Sequence, residues 1–257
     1  MQVQVLGCSG GIGAGLKTTC LKVNDSILLD AGTGLELLTT DEMLNLRHLF
    51  ITHAHLDHIC CLPLMLPTIF ERMQQPLRVY GNAEVISALK QHIFNWTVWP
   101  DYTEIPGSSS LLLFQELQAG DSIDVGDIKV SALAVNHPTP TLGYLLESPT
   151  GAFAFSGDTT SAPAFWQTLA TVNNLKQLLV DVSFPSDQQA IADSSGHYTP
   201  AALKKDLDLW PVQVAKPVLH ISHIKPGFET AVMAECKALF KGWQVCRLAS
   251  SDRLTID

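Results

Sequence analysis

The segment His53-Ala54-His55-Leu56-Asp57-His58 constrains this chain more than any other feature. Three imidazoles and a carboxylate fall within six residues, directly after the short apolar run Leu49–Thr52, which reads as a β-strand. Nitrogen and oxygen donors at that density suit zinc, manganese or iron. The alternative is a surface turn that happens to be rich in histidine. A lone histidine would favour it, but four ligand-type residues at the end of a strand do not. Unpaired polar groups are costly where a chain enters a core, so a metal centre is the better reading. Any fold assigned to the chain has to end a strand at His53.

The remaining pattern supplies such a fold. Met1–Leu6, Thr19–Val23 and Ser26–Asp30 read as strands broken by glycine- and asparagine-containing turns. A helix-compatible stretch runs from about Ile59 to Met73, followed by a strand at Leu77–Tyr80 and an amphipathic helix at Ala83–Phe94. Strands return at Asp127–Val135, Leu142–Glu147 and Ala152–Ser156, the last two joined by the hairpin signal Ser148-Pro149-Thr150-Gly151. Helices at Ala164–Asn173, Pro200–Leu209 and Glu229–Lys241 then alternate with strands at Gln177–Val182 and Pro217–Ser222, and a final strand pair is expected near Val245 and Leu254. Two β-rich blocks, each followed by helices, predict an α/β fold: an αββα sandwich of two mixed β-sheets in one domain spanning 1–257. The irregular segment Asn95–Ser110, rich in Trp, Pro, Gly and Ser, reads as a lid or insert at about 95–110.

Composition narrows the function. Hydrophobic residues are 46% and charged residues 16%, enough apolar material for a large core and against disorder. The net charge of −9, with no run of Lys or Arg, argues against general nucleic-acid binding. An anionic substrate stays open, because metal ions supply positive charge locally. No apolar run approaches bilayer length, and the first residues lack the features of a leader. The expected compartment is the cytoplasm, or the periplasm had a leader been removed. Cys8, Cys20, Cys60, Cys61, Cys236 and Cys246 lack CxxC spacing and are expected to be free thiols, mostly buried.

The six-residue segment resembles the HxHxDH signature of the metallo-β-lactamase superfamily, and the resemblance extends over most of the chain. Gly7-Cys8-Ser9-Gly10-Gly11 and Asp30-Ala31-Gly32 look like its early strands and turns. His137 at a strand end looks like its third histidine, Ser156-Gly157-Asp158-Thr159 like its strand-end GDT, and His223 like its last histidine. The resemblance implies the metallo-β-lactamase fold and two divalent metal ions, zinc foremost, with Mn2+ or Fe2+ as alternatives. It implies that His53, His55 and His137 hold one ion, that Asp57, His58 and His223 hold the other, and that Asp158 bridges them. Two cations about 3.5–4 Å apart lower the pKa of a shared water and clamp a phosphate or carbonyl oxygen. His220 competes with His223, but strand positions three apart face opposite ways, and the family pattern favours His223. His48 and His92 read as structural or surface residues.

Finer features separate chemistries that share this fold. Leu56 between the second histidine and Asp57, the aliphatic Ile59, Trp99-Pro100-Asp101 and His220-Ile221-Ser222-His223-Ile224-Lys225-Pro226 closely resemble class II cyclic-nucleotide phosphodiesterases. Cys61, Pro63 and Leu66 depart from that pattern. Asp181-Val182-Ser183-Phe184 and Ser195-Gly196-His197-Tyr198-Thr199-Pro200 resemble transfer-RNA 3′-processing nucleases, which implies His197 as general acid and Asp181 as its orienting partner. A departing ribose alkoxide needs a proton or a metal, so the chemistry calls for such a group. The alternative for His197 is a loop imidazole beside a helix capped by Thr199. The expected reaction is hydrolysis of a 3′,5′-cyclic nucleotide (cAMP or cGMP) to the 5′-monophosphate, with Asp57 holding the attacking water. Lys225 is the candidate for meeting a phosphate oxygen, and Thr199 and Trp99 are further candidates for contacting substrate. Trp99 with Phe94, Trp96 and Tyr102 could offer a purine a stacking face, the alternative being that these aromatics only pack the loop onto the body. The expected partner is thus a small cyclic nucleotide, with no general nucleic-acid binding, no membrane, and a homodimer left open. The rivals are a tRNA 3′-processing-type nuclease, against which the charge and the lack of a basic arm stand, a lactonase-like hydrolase, and a binding module on a metal-holding fold.

Overall fold

In the strand Gly151–Phe155 every residue is buried, yet alternate side chains face different layers. Phe153 and Phe155 enter the core between two sheets, while Ala152 and Ala154 lie in the core beneath a layer of helices. The period of two that sorts them is the pleat of the strand itself. Small residues on the outer face let Phe165 and Trp166 of the covering helix approach closely.

Numbered in chain order, the first sheet runs β14 (Arg253–Thr255), β1 (Gln2–Gly7), β2 (Cys20–Val23), β3 (Ile27–Leu29), β4 (His48–Phe50), β5 (Leu77–Gly81) and β6 (Leu112–Glu116). The second runs β13 (Val245–Arg247), β12 (Val218–Ser222), β11 (Leu175–Asp181), β10 (Gly151–Phe155), β9 (Leu142–Ser148), β8 (Ile128–Ala134) and β7 (Ser122–Val125). Both are mixed: β14 through β3 pair antiparallel and β3 through β6 parallel, while β7 through β10 pair antiparallel and β10 through β13 parallel. On the outer side of the first sheet lie α1 (Thr40–Asn45), α2 (Leu56–Ile59), α3 (Cys61–Ile69) and α4 (Ala83–Ala88). The helices that follow β10 are α5 (Pro163–Leu169), α6 (Gln189–Ser195), α7 (Pro200–Leu207) and α8 (Glu229–Leu239), with α5, α7 and α8 packed on the second sheet. This is the αββα sandwich expected from the sequence. The structure, a computed structural model, describes residues 1–105 and 110–257, so the segment read as a lid or insert lies in part, at 106–109, outside the described residues.

Val3, Val5, Leu21, Leu29 and Phe50 of the first sheet meet Val130, Tyr144, Phe153, Phe155 and Leu179 of the second. Each such side chain, fully buried, contributes about 1.5–3 kcal/mol of transfer free energy. Phe50 stacks on Tyr80 at 4.4 Å, and the Tyr144 hydroxyl crosses the layer to donate to the Ile51 carbonyl at 2.7 Å. The chain just before His53 is therefore tied to both sheets.

The structure departs from the sequence reading in several places. The last two strands do not pair with each other: β13 extends the second sheet and β14 the first, so the C-terminal segment joins the two layers. The edge strands β6 and β7 were not expected; β7 is short and exposed at alternate residues, which leaves little apolar signal. The stretch Ile59–Met73 is not one helix but α2, α3 and a 3-10 turn at Phe70–Arg72, and the helix after β5 widens into a π-turn at Leu89–Ile93. Cys61 and Leu66, which depart from the family pattern, pack into the cluster under the first sheet. All six cysteines are free; Cys20, Cys61 and Cys236 are buried. Among the described residues no helix is long and apolar enough to cross a membrane.

Candidate metal centre

Five strands end at one place. The residues that follow β4, β8, β10, β11 and β12 carry His53, His137, Asp158, Ser183 and His223, and Asp181 closes β11. After Thr52 the chain leaves the first sheet, His55 stands at the N-cap of α2, and the first turn of that helix presents Asp57 and the buried His58. Gly157 permits the turn that brings in Asp158: its φ of 61° is left-handed, and a Cβ there would lie 3.0 Å from the Thr52 methyl.

Three overlapping sets of donors converge, each with its ligand atoms within 4.8 Å of one another: His53, His55, His137 and Asp158; Asp57, His58 and His223; and Asp158, Asp181, His197 and His223. Asp158 reaches several at once, its Oδ1 lying 3.3 Å from His58 Nε2 and its Oδ2 3.3 Å from His223 Nε2 and 3.6 Å from His53 Nε2. Asp57 Oδ2 lies 3.2 Å from His223 Nε2. Ring nitrogens also crowd together, and some polar atoms are left over. His53 Nε2 is 2.9 Å from His55 Nδ1, and the buried His137 Nε2 and Asp158 Oδ1 have no hydrogen-bond partner among the described residues. Acceptors crowded without donors are what a cation satisfies, and a set of nitrogen and oxygen ligands suits a divalent metal. The residues fit one.

The electrostatics of three of the rings point the same way, and His58 is the exception. Burial holds His53 well below its ordinary range, assisted by the neighbouring His58, and burial likewise lowers His137 and His55, so these rings are neutral and able to ligate. Burial alone would raise Asp158 and Asp57, but His223 and His58 outweigh it and hold both carboxylates low. Burial alone would lower His58; Asp158 and Asp30 reverse that and raise it well above its usual value. Burial also pushes Asp30 up, so one proton is held on the 2.7 Å line between His58 Nδ1 and Asp30 Oδ2.

His197 Nδ1 lies 2.7 Å from Asp181 Oδ2, and its ring stacks on His223 at 5.1 Å, beside His137. Burial would lower this imidazole, and the Asp181 carboxylate more than offsets it. Lys225 is half-buried, its stem against Gly10, and its charge acts on His197 in the opposing sense. His220 faces away: its Nε2 bonds to Gln177 Oε1 at 2.6 Å, two strand rows from the cluster. His48 bonds to the Tyr80 hydroxyl and His92 is exposed.

Two expected substrate contacts are not brought to the cluster. Thr199 is wholly buried as the N-cap of α7, accepting from Ala202 N and donating to Gln189 Oε1, which uses its one hydroxyl proton. Trp99 packs, partly buried, against the apolar cluster outside the first sheet. Residues to which the sequence assigned no role at the site do touch it. Asp30 and Thr52 bear on His58 and His53, Ser183 on His223, and the Gly196 carbonyl accepts from His137 Nδ1. The available signal was slight: an aspartate ending a strand, and hydroxyl residues one or two places from recognisable motifs.

A family model of the beta-lactamase superfamily domain matches residues 25–234. A probable 3′,5′-cyclic-nucleotide phosphodiesterase of Yersinia pestis is 29% identical over 280 residues, covering 89% of this chain and 79% of that protein. Ribonuclease Z of Methanosarcina acetivorans is 31% identical over 134 residues, covering 48% of this chain and 39% of its own length. The solved structure of unliganded yeast PDE1 superposes with a TM-score of 0.85 at 18% identity, over 98% of each chain; at that identity the likeness shows the fold.

Proposed function

Because this chain belongs to the beta-lactamase superfamily domain family, we propose that it is a two-metal phosphodiesterase opening 3′,5′-cyclic nucleotides to 5′-monophosphates. His53, His55 and His137 would hold one divalent ion and Asp57, His58 and His223 the other, with Asp158 between them; the donor set suits zinc. Such a pair, when bound, supplies an activated water and neutralises charge on the phosphate. Asp57 is half-buried with Oδ2 turned to His223, which leaves Oδ1 to accept a proton of the attacking water. His197 directs Nδ1 at Asp181, so Nε2 is the end that protonates the departing 3′ oxygen. Lys225 offers a point charge for a phosphate oxygen.

The Asp181–His197 pair beside the ligand cluster carries this reading, because a poor alkoxide leaving group needs a positioned acid. The Yersinia relative, alike over most of its length, supports the cyclic-nucleotide substrate over a lactone. A nuclease is the second reading, favoured by the Ribonuclease Z likeness over about half of the chain. The net charge of −9 weighs against a long polyanion. Purified, metal-loaded protein assayed on cAMP, cGMP, a precursor tRNA and a simple lactone distinguishes these readings. Turnover of a cyclic nucleotide above the other two classes is the expected result, and cleavage of the tRNA alone would replace it with the nuclease.

A further inference from the structure

Two buried carboxylates flank the ligand cluster, and each holds two imidazoles by two different routes. Asp30 binds His58 Nδ1 directly at 2.7 Å; it also receives the Thr52 hydroxyl at 2.9 Å, and that oxygen lies 3.0 Å from His53 Nδ1. On the other side Asp181 binds His197 Nδ1 directly at 2.7 Å; it also receives the Ser183 hydroxyl at 2.7 Å, and that oxygen lies 3.0 Å from His223 Nδ1. A hydroxyl has one proton. The Thr52 hydroxyl faces a carboxylate, and that of Ser183 a carboxylate and the His223 carbonyl at 2.9 Å, all acceptors. The proton must go to them, so each histidine must donate from Nδ1 and is left with its electron pair on Nε2.

We infer that Thr52 and Ser183 are positioning residues: each hydroxyl ties a second histidine to a carboxylate that already holds a first, fixing which ring nitrogen faces the metal site. This inference rests on the two-metal reading above. Its consequence is a division of labour. Thr52 acts chiefly on His53, at 3.0 Å, its oxygen lying farther from His58 Nδ1, at 3.5 Å; Ser183 acts on His223, and under that reading His53 and His223 serve different ions. Threonine suits the first place because its branched Cβ stiffens χ1, and its methyl packs against Gly157, where an added Cβ would come within 3.0 Å of it. The Thr52 backbone N–H, donating to Asp30 Oδ1 at 2.7 Å, holds the same carboxylate from a second direction.

The test is metal affinity, measured on each site by titrating metal-free protein with Zn2+ against a chelator and with Co2+ followed by its absorption bands. Substitution of such supporting groups costs about 10–100-fold in metal affinity. Thr52→Val should weaken one ion by that factor and spare the other, because His58 keeps its direct bond to Asp30. Thr52→Ser should restore most of the loss, and Ser183→Ala should weaken the opposite ion. Histidine 15N spectra should show Nδ1 protonation at His53 in the wild type and loss of that preference in Thr52→Val. Equal weakening of both ions by either variant, or failure of serine to restore what valine loses, would overturn the division. Should Thr52→Val not fold, Ser183→Ala still decides it through the selective loss of one ion, while Thr52→Ser should stay near the wild-type affinity for both. Wild-type protein that binds no metal would instead remove the two-metal reading, and the tautomer spectra would then judge the hydroxyl braces alone.

Discussion

Replacing His197 by alanine should separate proton donation from every other service that residue could perform. The variant should fold, because Asp181 keeps the Ser183 hydroxyl on Oδ1 and the Thr159 amide on Oδ2, so no carboxylate oxygen is stranded. It should also keep its metals, since His197 is bound to Asp181 and stacks on His223 without replacing any bond to the latter's Nδ1. A positioned general acid is worth about 10²–10⁴ in rate, or about 2.7–5.5 kcal/mol of barrier. The 2.7 Å bond that orients the ring and raises its basicity puts the expectation near the middle, about 10³-fold on kcat for a cyclic nucleotide. A bis(nitrophenyl) phosphate releases a stable phenolate and should lose about tenfold or less. The ratio of the two losses, taken from steady-state kinetics at matched metal loading, is the informative quantity. Equal losses on both substrates would show that His197 places substrate or supports the loop, and the acid assignment would fail.

Metal should be present at about two ions per chain by elemental analysis, and chelation should abolish turnover. Asp158→Ala should lower occupancy of both ions, because its two oxygens face histidines of both sets; loss of one ion alone would refute the bridge. His223→Ala should lose metal while His220→Ala retains it, as the second ring is spent on Gln177; the reverse result would exchange their roles. Burial pushes His220 from 6.5 down to about 4, so the folded state favours the neutral ring. Stability from this group is complete above pH 6.5 and declines as pH falls toward 4, by on the order of 3 kcal/mol. His220→Gln, which keeps a donor for Gln177, should flatten that part of the pH–stability curve, and an unchanged difference between pH 7 and pH 4.5 would contradict it.

Residues whose role is declared by their neighbours in sequence were legible, and residues whose role depends on packing were not. His53, His55, Asp57 and His58 lie together in the chain, and the strand before them is apolar, so both the cluster and its place at a strand end could be read directly. Asp30 is twenty-eight residues from His58 and meets it only because β3 and β4 run side by side. Ser183 looked like part of a strand-end motif, but its hydroxyl matters through His223, forty residues away. Thr199 is the converse case. The same hydroxyl can cap a helix or meet a phosphate, and Pro200 at the first helical position favoured the cap. The edge strands β6 and β7 escaped because they are short and thinly covered: β6 ends in the exposed Gln115 and Glu116, and β7 offers only the partly covered Ile123 and Val125 as apolar signal.

The choice between His220 and His223 shows how a sequence rule can pick, by an incomplete route, the ring that lies among the other donors. Parity in an extended strand places residues three apart on opposite faces, and His220 does face away from the cluster. His223, however, is no longer in the strand: β12 ends at Ser222, and His223 has a left-handed φ of 59°. A non-glycine residue in that region costs on the order of 1–3 kcal/mol and persists only where its surroundings determine it. Here they do. Its amide donates to the Cys8 carbonyl at 2.7 Å, its carbonyl accepts from the Ser183 hydroxyl at 2.9 Å, and its Nδ1 meets that same hydroxyl. Asp30, the carboxylate that supports the opposite side of the cluster, is also left-handed, at 56°. Strain therefore sits on both sides of the site at residues that aim side chains inward, and not at the outward-facing His220. The turn at His223, rather than strand parity, is what carries its imidazole to Asp57 and Asp158.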